Sequence, residues 1–413
     1  MVQRQAADEA RSGAAPGAVI VVFNLPVPDD HRVWAQACAL RDAGLRVCVV
    51  CPSIRDAAPG RRRIEGIDVH CFRSFEGEGR VATVLEGAWT TFAAGRAAKR
   101  ELVRIDGRRT LQVCNPPDLS FRLLRWARRR GVRTVYDQHD VVPLLAAARP
   151  SFRRLVAFFL ACERRTVEAA DAVLTPSSEQ AARLSARYGR DAVVVRTAAV
   201  SEPEEGQRAE PDATGPGVAE AESVPAVEPT VLGYLGVIGE QDGVVDLVDA
   251  VQALRAAGRT GFRVEVAGDG PALPSVRARV AELGLGEVVQ LRGWVGRDRI
   301  DAFLKGVDAM LVPDPESEFN HHCAMNKVTH AMARGIPVVL RPLRENARLT
   351  GRDGFLAGDM SLAAFVAAIE RLLAATPAER AATGARLRAA FEAELSWTIS
   401  GPRYLAVFQE SRG

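Results

Sequence analysis

The chain has 413 residues, of which 47% are hydrophobic and 25% charged, with a formal net charge of +3. This length suggests two or three domains. So small a charge argues against nucleic acid as the main partner, and no run reaches the ~20 apolar residues of a membrane-spanning helix.

Residues 1–16 are polar and Ala-rich and read as a flexible N-terminus. The apolar stretch Ala18–Phe23 is too short for a signal peptide; it reads instead as a buried strand. After the loop "NLPVPDD", the run "HRVWAQACALRDAG" places Val33, Ala37 and Leu40 on one helical face. Asp30 is its expected N-cap and Gly44 its stop. "RVCVVCP" (46–52) is the next strand. Its Cys48 and Cys51 form a C-x-x-C, read as two buried small hydrophobes rather than a redox or metal pair. The seven cysteines, an odd number without tight spacing, fit a reducing cytoplasm better than a disulfide framework.

Strand-like runs at 111–114, 133–137, 171–176 and 192–195 alternate with helical patterns at 81–104, 118–130, 151–169 and 178–188. That rhythm predicts a parallel sheet with helices on both faces. The Arg-rich stretch "FRLLRWARRR" (121–130) reads as a solvated helix face, with peripheral contact to an anionic membrane as the alternative.

Residues 201–229 are rich in Pro, Glu, Ala and Gly without an apolar period and read as an acidic linker or loop. The second half then repeats the plan. Strands are expected at 230–236, 262–268, 288–293, 308–313 and 336–341, and helices at 243–257 and 271–284. The expected class is α/β: two doubly wound, Rossmann-like domains, 17–200 and 230–395, with a ligand cleft between them. Residues 396–413 are expected to form a C-terminal helix that packs back on the first domain, with Trp397, Tyr404 and Phe408 on its apolar side.

The segment Asn320–Val339 carries most of the chemistry. It holds three of the six histidines and, in Lys327, one of three lysines among 54 basic residues. Asn326 is the expected cap of a helix through Arg334, ended by Gly335. A lysine in the first turn opposes the helix dipole unless an anion lies there, so Lys327 is either a solvated surface side chain or a phosphate ligand. A metal site is not expected. His321 and His322 are adjacent, His330 lies eight residues beyond His322, and no acidic residue falls between them.

"NKVTHAMARGIPVV" resembles the segment P-x-K-x-x-E-Y-M-A-x-G-x-P-V-V of the retaining glycosyltransferases of family 4, which have the two-domain GT-B fold. Other stretches agree in order: "PDDHRVWAQACALRDAGLRVCVVCP" (28–52), "VYDQHDVVP" (135–143), "ADAVLTPSSE" (170–179), "GYLGVIGEQDGVVDLVDAV" (233–251), "VAGDGPAL" and "LRGWV". The resemblance implies a nucleotide-sugar donor held mainly by the second domain, an acceptor held mainly by the first, and no metal or other cofactor. It implies catalytic roles for His139 and Lys327. On the donor side it points to Gly236, Gly239, Gly268, Trp294, His322, Met325, Asn326, Lys327 and His330, with Arg344 and Glu345 past the last strand. Asp29, Asp30, Arg32 and Asp140 are the acceptor candidates. Blander readings stand beside these: His139 as a buried strand-end histidine, Asp29 and Asp30 as helix caps, Trp294 as core packing.

The chain departs from the family pattern at several points. Two glutamates eight apart in the family are His322 and His330 here, and its Arg and Lys near the start of the second domain are Val237 and Asp242. The resulting expectation is a cytoplasmic, metal-independent, retaining glycosyltransferase using a UDP- or GDP-sugar. The altered glutamate pair and the Arg-rich composition lean towards a small natural-product acceptor, as in antibiotic biosynthesis. A lipid-linked or polysaccharide acceptor is the runner-up. An isomerase on the same fold and a non-catalytic partner protein are the remaining rivals.

Overall fold

The computed structural model describes residues 15–54, 58–74, 80–149, 152–197 and 229–409. The expected linker, save Pro229, and residues 1–14 of the expected flexible N-terminus lie outside the described residues. The chain divides into two compact units. Unit 1 takes residues 1–198, 317–324 and 397–413; unit 2 takes 199–316 and 325–396.

Unit 1 is built on eight strands: β1 Gly17–Val21, β2 Arg46–Ser53, β3 Gly60–Ile64, β4 Ile67–Arg73, β5 Arg109–Cys114, β6 Arg133–Asp137, β7 Ala172–Thr175 and β8 Val193–Val194. Their order in the sheet is β3-β4-β2-β1-β5-β6-β7-β8. All pairs are parallel except β3 with β4. Alternation along β1 sends Val19 and Val21 into one core and Ala18 and Ile20 into the other. A fully buried Ile or Leu, such as Ile20 or Leu40, is worth about 1.5–3 kcal/mol relative to exposure. The same alternation separates Cys48 and Cys51 onto opposite faces, so this C-x-x-C cannot act as a pair. None of the seven cysteines forms a disulfide.

The helix His31–Asp42 starts where Asp30 accepts a hydrogen bond from the Val33 amide at 3.0 Å. It ends in a left-handed Gly44 at φ 84°, with Leu45 N–H bonded to the Leu40 carbonyl and Gly44 N–H to that of Arg41. This six-to-one and five-to-two closure is why the stop is a glycine. The helix Trp397–Gln409 packs within unit 1 on the His31–Asp42 helix and β8, and Tyr404 Oη donates to Gln112 Oε1 at 2.8 Å.

Unit 2 has six strands: β9 Thr230–Leu235, β10 Phe262–Ala267, β11 Val289–Gly293, β12 Ala309–Val312, β13 Val338–Leu340 and β14 Phe355–Leu356. The order is β11-β10-β9-β12-β13-β14, all parallel. The chain leaves β9 to one side for β10 and later enters β12 on the other side, so the topological switch point falls between β9 and β12. In unit 1 it falls between β1 and β5. Sheets of this kind bind ligands outside the carboxyl ends of the strands at that point. No described helix is long and apolar enough to cross a membrane.

Candidate functional site

In unit 2 the loops leaving β9, β10 and β12 meet beside the switch point. Glycines permit the approach. A Cβ on Gly268 would overlap the Gly236 carbonyl oxygen, and one on Gly243 would overlap that of Pro313. Backbone bonds then stitch the loops: Gly236 N–H to Ala267 O at 3.0 Å and Ile238 N–H to Asp269 O at 2.9 Å.

Lys327 rises into this crevice from the helix Asn326–Ala333 and is 7% exposed. Its ammonium donates to both oxygens of Asp314 at 2.8 and 2.9 Å and to Tyr234 Oη at 3.3 Å. Asp242 Oδ1 lies 3.7 Å away. Burial alone would lower the lysine pKa, but Asp314, then Tyr234 and Asp242, outweigh it and hold the ammonium charged well above its usual range. Burial pushes Asp242 up to about 6 against the pull of Lys327. Lys327 is therefore not a solvated side chain. The sequence predicts a phosphate beside Lys327; within the fold the anion beside it is Asp314, which no local pattern points to. All three ammonium donors are in use. Any further acceptor at Lys327 would have to replace one of these bonds, of which the longest is that to Tyr234. A Cβ added at Gly236 would lie 3.4 Å from Tyr234 Oη and 3.7 Å from Lys327 Cε, so the absence of a side chain keeps that approach open.

The helix begins one residue earlier than expected. Met325, with φ −75° and ψ 126°, is the N-cap, and Asn326 is the first helical residue. The Met325 N–H is taken by Asn346 Oδ1 at 3.1 Å, which fixes that extended turn. A methionine side chain cannot cap, and none does; the Val328 amide bonds back to the Met325 carbonyl at 3.0 Å, so of the first turn the Asn326 and Lys327 amides remain for other acceptors. Gly239 N–H is satisfied by Asp242 Oδ2 at 3.1 Å, so Asp242, standing where the family has lysine, shapes the loop instead of contributing positive charge. His330 is buried on the same helix as Lys327. Glu345 is fully buried and accepts from Arg348 at 3.1 Å, while Arg344 is exposed. Trp294 stands at the end of β11, 53% exposed, which is not core packing.

His322 belongs by its contacts to unit 1. It ends the short helix Glu318–His322, where its Nδ1–H donates to the Glu318 carbonyl at 2.6 Å. His321 and His322 are both buried.

Unit 1 gathers its own polar network at the ends of β5 and β6. Asp137 accepts from Arg32 Nε at 3.1 Å, from Arg32 Nη2, from Gln36 at 2.7 Å and from Gln112 at 3.3 Å. Burial would raise the Asp137 pKa, but the Arg32 guanidinium outweighs it and keeps the carboxylate charged well below the usual range. Arg32, 4% exposed and also bonded to Val195 O at 2.5 Å, is thereby committed to Asp137. His139 Nε2 sits 3.2 Å from Asp137 Oδ2. Burial acts to lower its pKa, yet the Asp137 carboxylate prevails and raises it well above the ordinary value. His139 is thus partly exposed and oriented by a carboxylate that favours its charged form. Asn115 Oδ1 accepts from the amides of His139 at 2.6 Å and Asp140 at 3.1 Å. Asp140 keeps its carboxylate free of hydrogen bonds among the described residues, and burial raises its pKa. Asp30 is a helix cap; Asp29 beside it is exposed. Cys114, Asp137 and His139 bring three ligand-type atoms within 4.8 Å of one another. Asp137 is already saturated by a guanidinium, and that positive charge argues against a cation at the same place.

Two family profiles match the chain. "Glycosyl transferase 4-like domain" covers residues 30–199 and "Glycosyl transferases group 1" covers 229–375. Among curated proteins, the 2-deoxystreptamine glucosyltransferase of Streptomyces kanamyceticus is 34% identical over 108 residues. The alignment spans only 26% of this chain and 26% of that relative. Among solved structures, the sucrose-phosphate synthase of Thermosynechococcus elongatus superposes with a TM-score of 0.72 at 17% identity, over 96% of this chain and 98% of its own. WaaG, a glycosyltransferase involved in lipopolysaccharide biosynthesis, gives 0.66 at 13% identity over 95% and 100%. At such identities the structural likeness speaks for the fold. With the two profiles, it shows that the chain belongs to the group 1, family 4 glycosyltransferases and has their GT-B fold.

Proposed function

We propose that this glycosyltransferase moves a sugar from a UDP- or GDP-sugar to a small natural-product acceptor, with retention at the anomeric carbon and without a metal ion. The observation that carries the donor side is Lys327, an ammonium held charged at the unit 2 switch point beside glycine-lined loops and an uncapped helix start. In this reading Lys327 trades its Tyr234 bond for a diphosphate oxygen, and the Asn326 and Lys327 amides take others. Met325 and the backbone at Gly236, Gly239 and Gly268 shape this cradle. His330 reads the ribose, Trp294 flanks the base, and Arg344 and Glu345 border the sugar. His322, which belongs to unit 1, remains a donor candidate on the resemblance alone. On the acceptor side, His139 supports transfer, with Asp29 and Asp140 as contacts and Arg32 and Asp30 as positioning residues. The leaving phosphate accepts the proton of the attacking hydroxyl, so no separate general base is required.

The natural-product acceptor is supported by the partial match to a 2-deoxystreptamine glucosyltransferase. Incubating the protein with UDP- and GDP-sugars and an aminocyclitol or related polyol, with product anomer assigned by NMR, tests the reading. An axial product from an axial donor supports it. Absence of turnover and of donor hydrolysis with every donor would favour a non-catalytic protein.

A further inference from the structure

Three neighbouring helical segments of unit 1 present one continuous outer face. On the helix Arg80–Val103, Trp89, Phe92, Arg96, Lys99 and Val103 recur at three- and four-residue spacing and so form a single stripe. Trp89, Phe92 and Val103 are 44%, 58% and 72% exposed. The stripe borders the helix Phe121–Arg128 through Lys99, whose ammonium lies 5.1 Å from the Trp126 ring centroid. Arg130 stacks on that ring from 4.5 Å. On the helix Val156–Ala169, Phe158 and Arg165 share a stripe seven residues apart, and Arg165 reaches over Phe121 at 5.8 Å, as does Arg125 at 5.7 Å. An open groove of about 580 Å³ runs between Phe121, Arg125, Trp126, Arg130 and Arg165.

Two properties set this face apart from an ordinary solvated helix surface. Of eight large apolar side chains exposed among the described residues, five lie here: Trp89, Phe92, Val103, Leu155 and Phe158. Acidic charge is nearly absent. Glu101 and Glu163 are buried and paired with Arg61 and Arg183, which leaves Glu168 as the exposed carboxylate among the described side chains of these helices, 3.8 Å from Arg164. Exposed aromatics are costly in water unless something covers them. Cationic heads beside them require that cover to be anionic on the outside and apolar within.

We propose that this face docks on an anionic phospholipid bilayer, with guanidinium groups at the phosphate level and Phe92, Phe158 and Leu155 seated at the acyl boundary. A soluble polyanion would satisfy the arginines but not the exposed phenylalanines. The proposal concerns binding and stands apart from the sugar-transfer reading.

Vesicle flotation tests it. The full chain is mixed at low salt with vesicles of phosphatidylglycerol and phosphatidylcholine, or of phosphatidylcholine alone. It should float only with the anionic vesicles, and less as salt rises. Arg125→Glu/Arg130→Glu/Arg165→Glu should weaken binding by at least ~100-fold, at roughly fivefold per charge near the surface. Phe92→Ser/Phe158→Ser, both at exposed positions, should weaken it too while leaving the melting temperature unchanged. Failure to float with anionic vesicles overturns the proposal, as does an arginine variant that floats like wild type. If the phenylalanine variant binds vesicles as wild type does, or duplex DNA competes the protein off the vesicles completely, the face is a soluble-polyanion site and the bilayer assignment is wrong.

Discussion

The Lys327 ammonium lies 2.8 and 2.9 Å from the two carboxylate oxygens of Asp314, and both residues are buried. Removing one member of such a pair leaves the other charge stranded, at a cost of about 3–5 kcal/mol. Lys327→Ala should therefore lower unfolding stability on that scale, and Lys327→Ala/Asp314→Ala should recover most of the loss. Urea denaturation of the three proteins checks this. A double variant no more stable than the single one would show that the pair is not what holds these loops.

A second buried carboxyl sets a pH dependence. Burial, only partly opposed by hydrogen bonds from Tyr136 and Asn115, pushes Asp118 up to about 7; its Oδ2 has no partner. Between the ordinary value of 3.8 and about 7, the unfolded chain has lost this proton while the folded chain keeps it. Stability from this group is thus greatest at low pH and falls as pH rises through that window. Asp118→Asn mimics the protonated form and should flatten the melting temperature between about pH 4 and 7. Parallel slopes for wild type and variant would contradict the assignment.

The parallel sheets were legible because strand, helix, strand recurs with clear apolar runs, and the cap and stop of the first helix appear at the residues the pattern names, Asp30 and Gly44. The β3–β4 hairpin was not legible, since "GRRRI" is an exposed edge strand with no apolar alternation. Arg61 there pairs with the buried Glu101, 40 residues away, a relationship no local pattern carries. The same holds at the site. Lys327 was readable from its place at a helix start, whereas Asp314 became its partner only because β12 ends at the switch point. Arg32 is an acceptor candidate by sequence; the fold turns it inward onto Asp137, which lies 105 residues along the chain.

His139→Ala should leave nucleotide affinity near normal while kcat falls by about 10²-fold, the scale of one preorganised donor at a reacting centre. Because Asp137 holds the imidazole protonated well above its ordinary value, wild-type kcat should show no histidine titration between about pH 6 and 7.5. The stability this charge provides is present below the ordinary histidine value of 6.5 and is lost only as pH rises through the elevated folded one. A variant that melts lower but keeps its specific activity would assign His139 to structure.

His330 lies one turn beyond Lys327 on the same helix; in the proposed function it reaches a sugar hydroxyl while Lys327 reaches phosphate. A neutral imidazole offers one acceptor where a glutamate offers two oxygens. His330→Glu should sharpen discrimination against the 2′-deoxynucleotide, measured as a ratio of dissociation constants. Indifference of both proteins to the 2′-hydroxyl would remove His330 from ribose recognition.

The most direct measurement is a calorimetric titration of UDP and GDP, with chelator present, into wild type and into Lys327→Ala/Asp314→Ala as the folded control. One nucleotide should bind wild type without metal, and the control should lose about 1.5–3 kcal/mol of that affinity, the scale of a charged hydrogen bond. Equal affinity in the two proteins, or binding that appears only when a divalent metal is added, would contradict a diphosphate site built on Lys327.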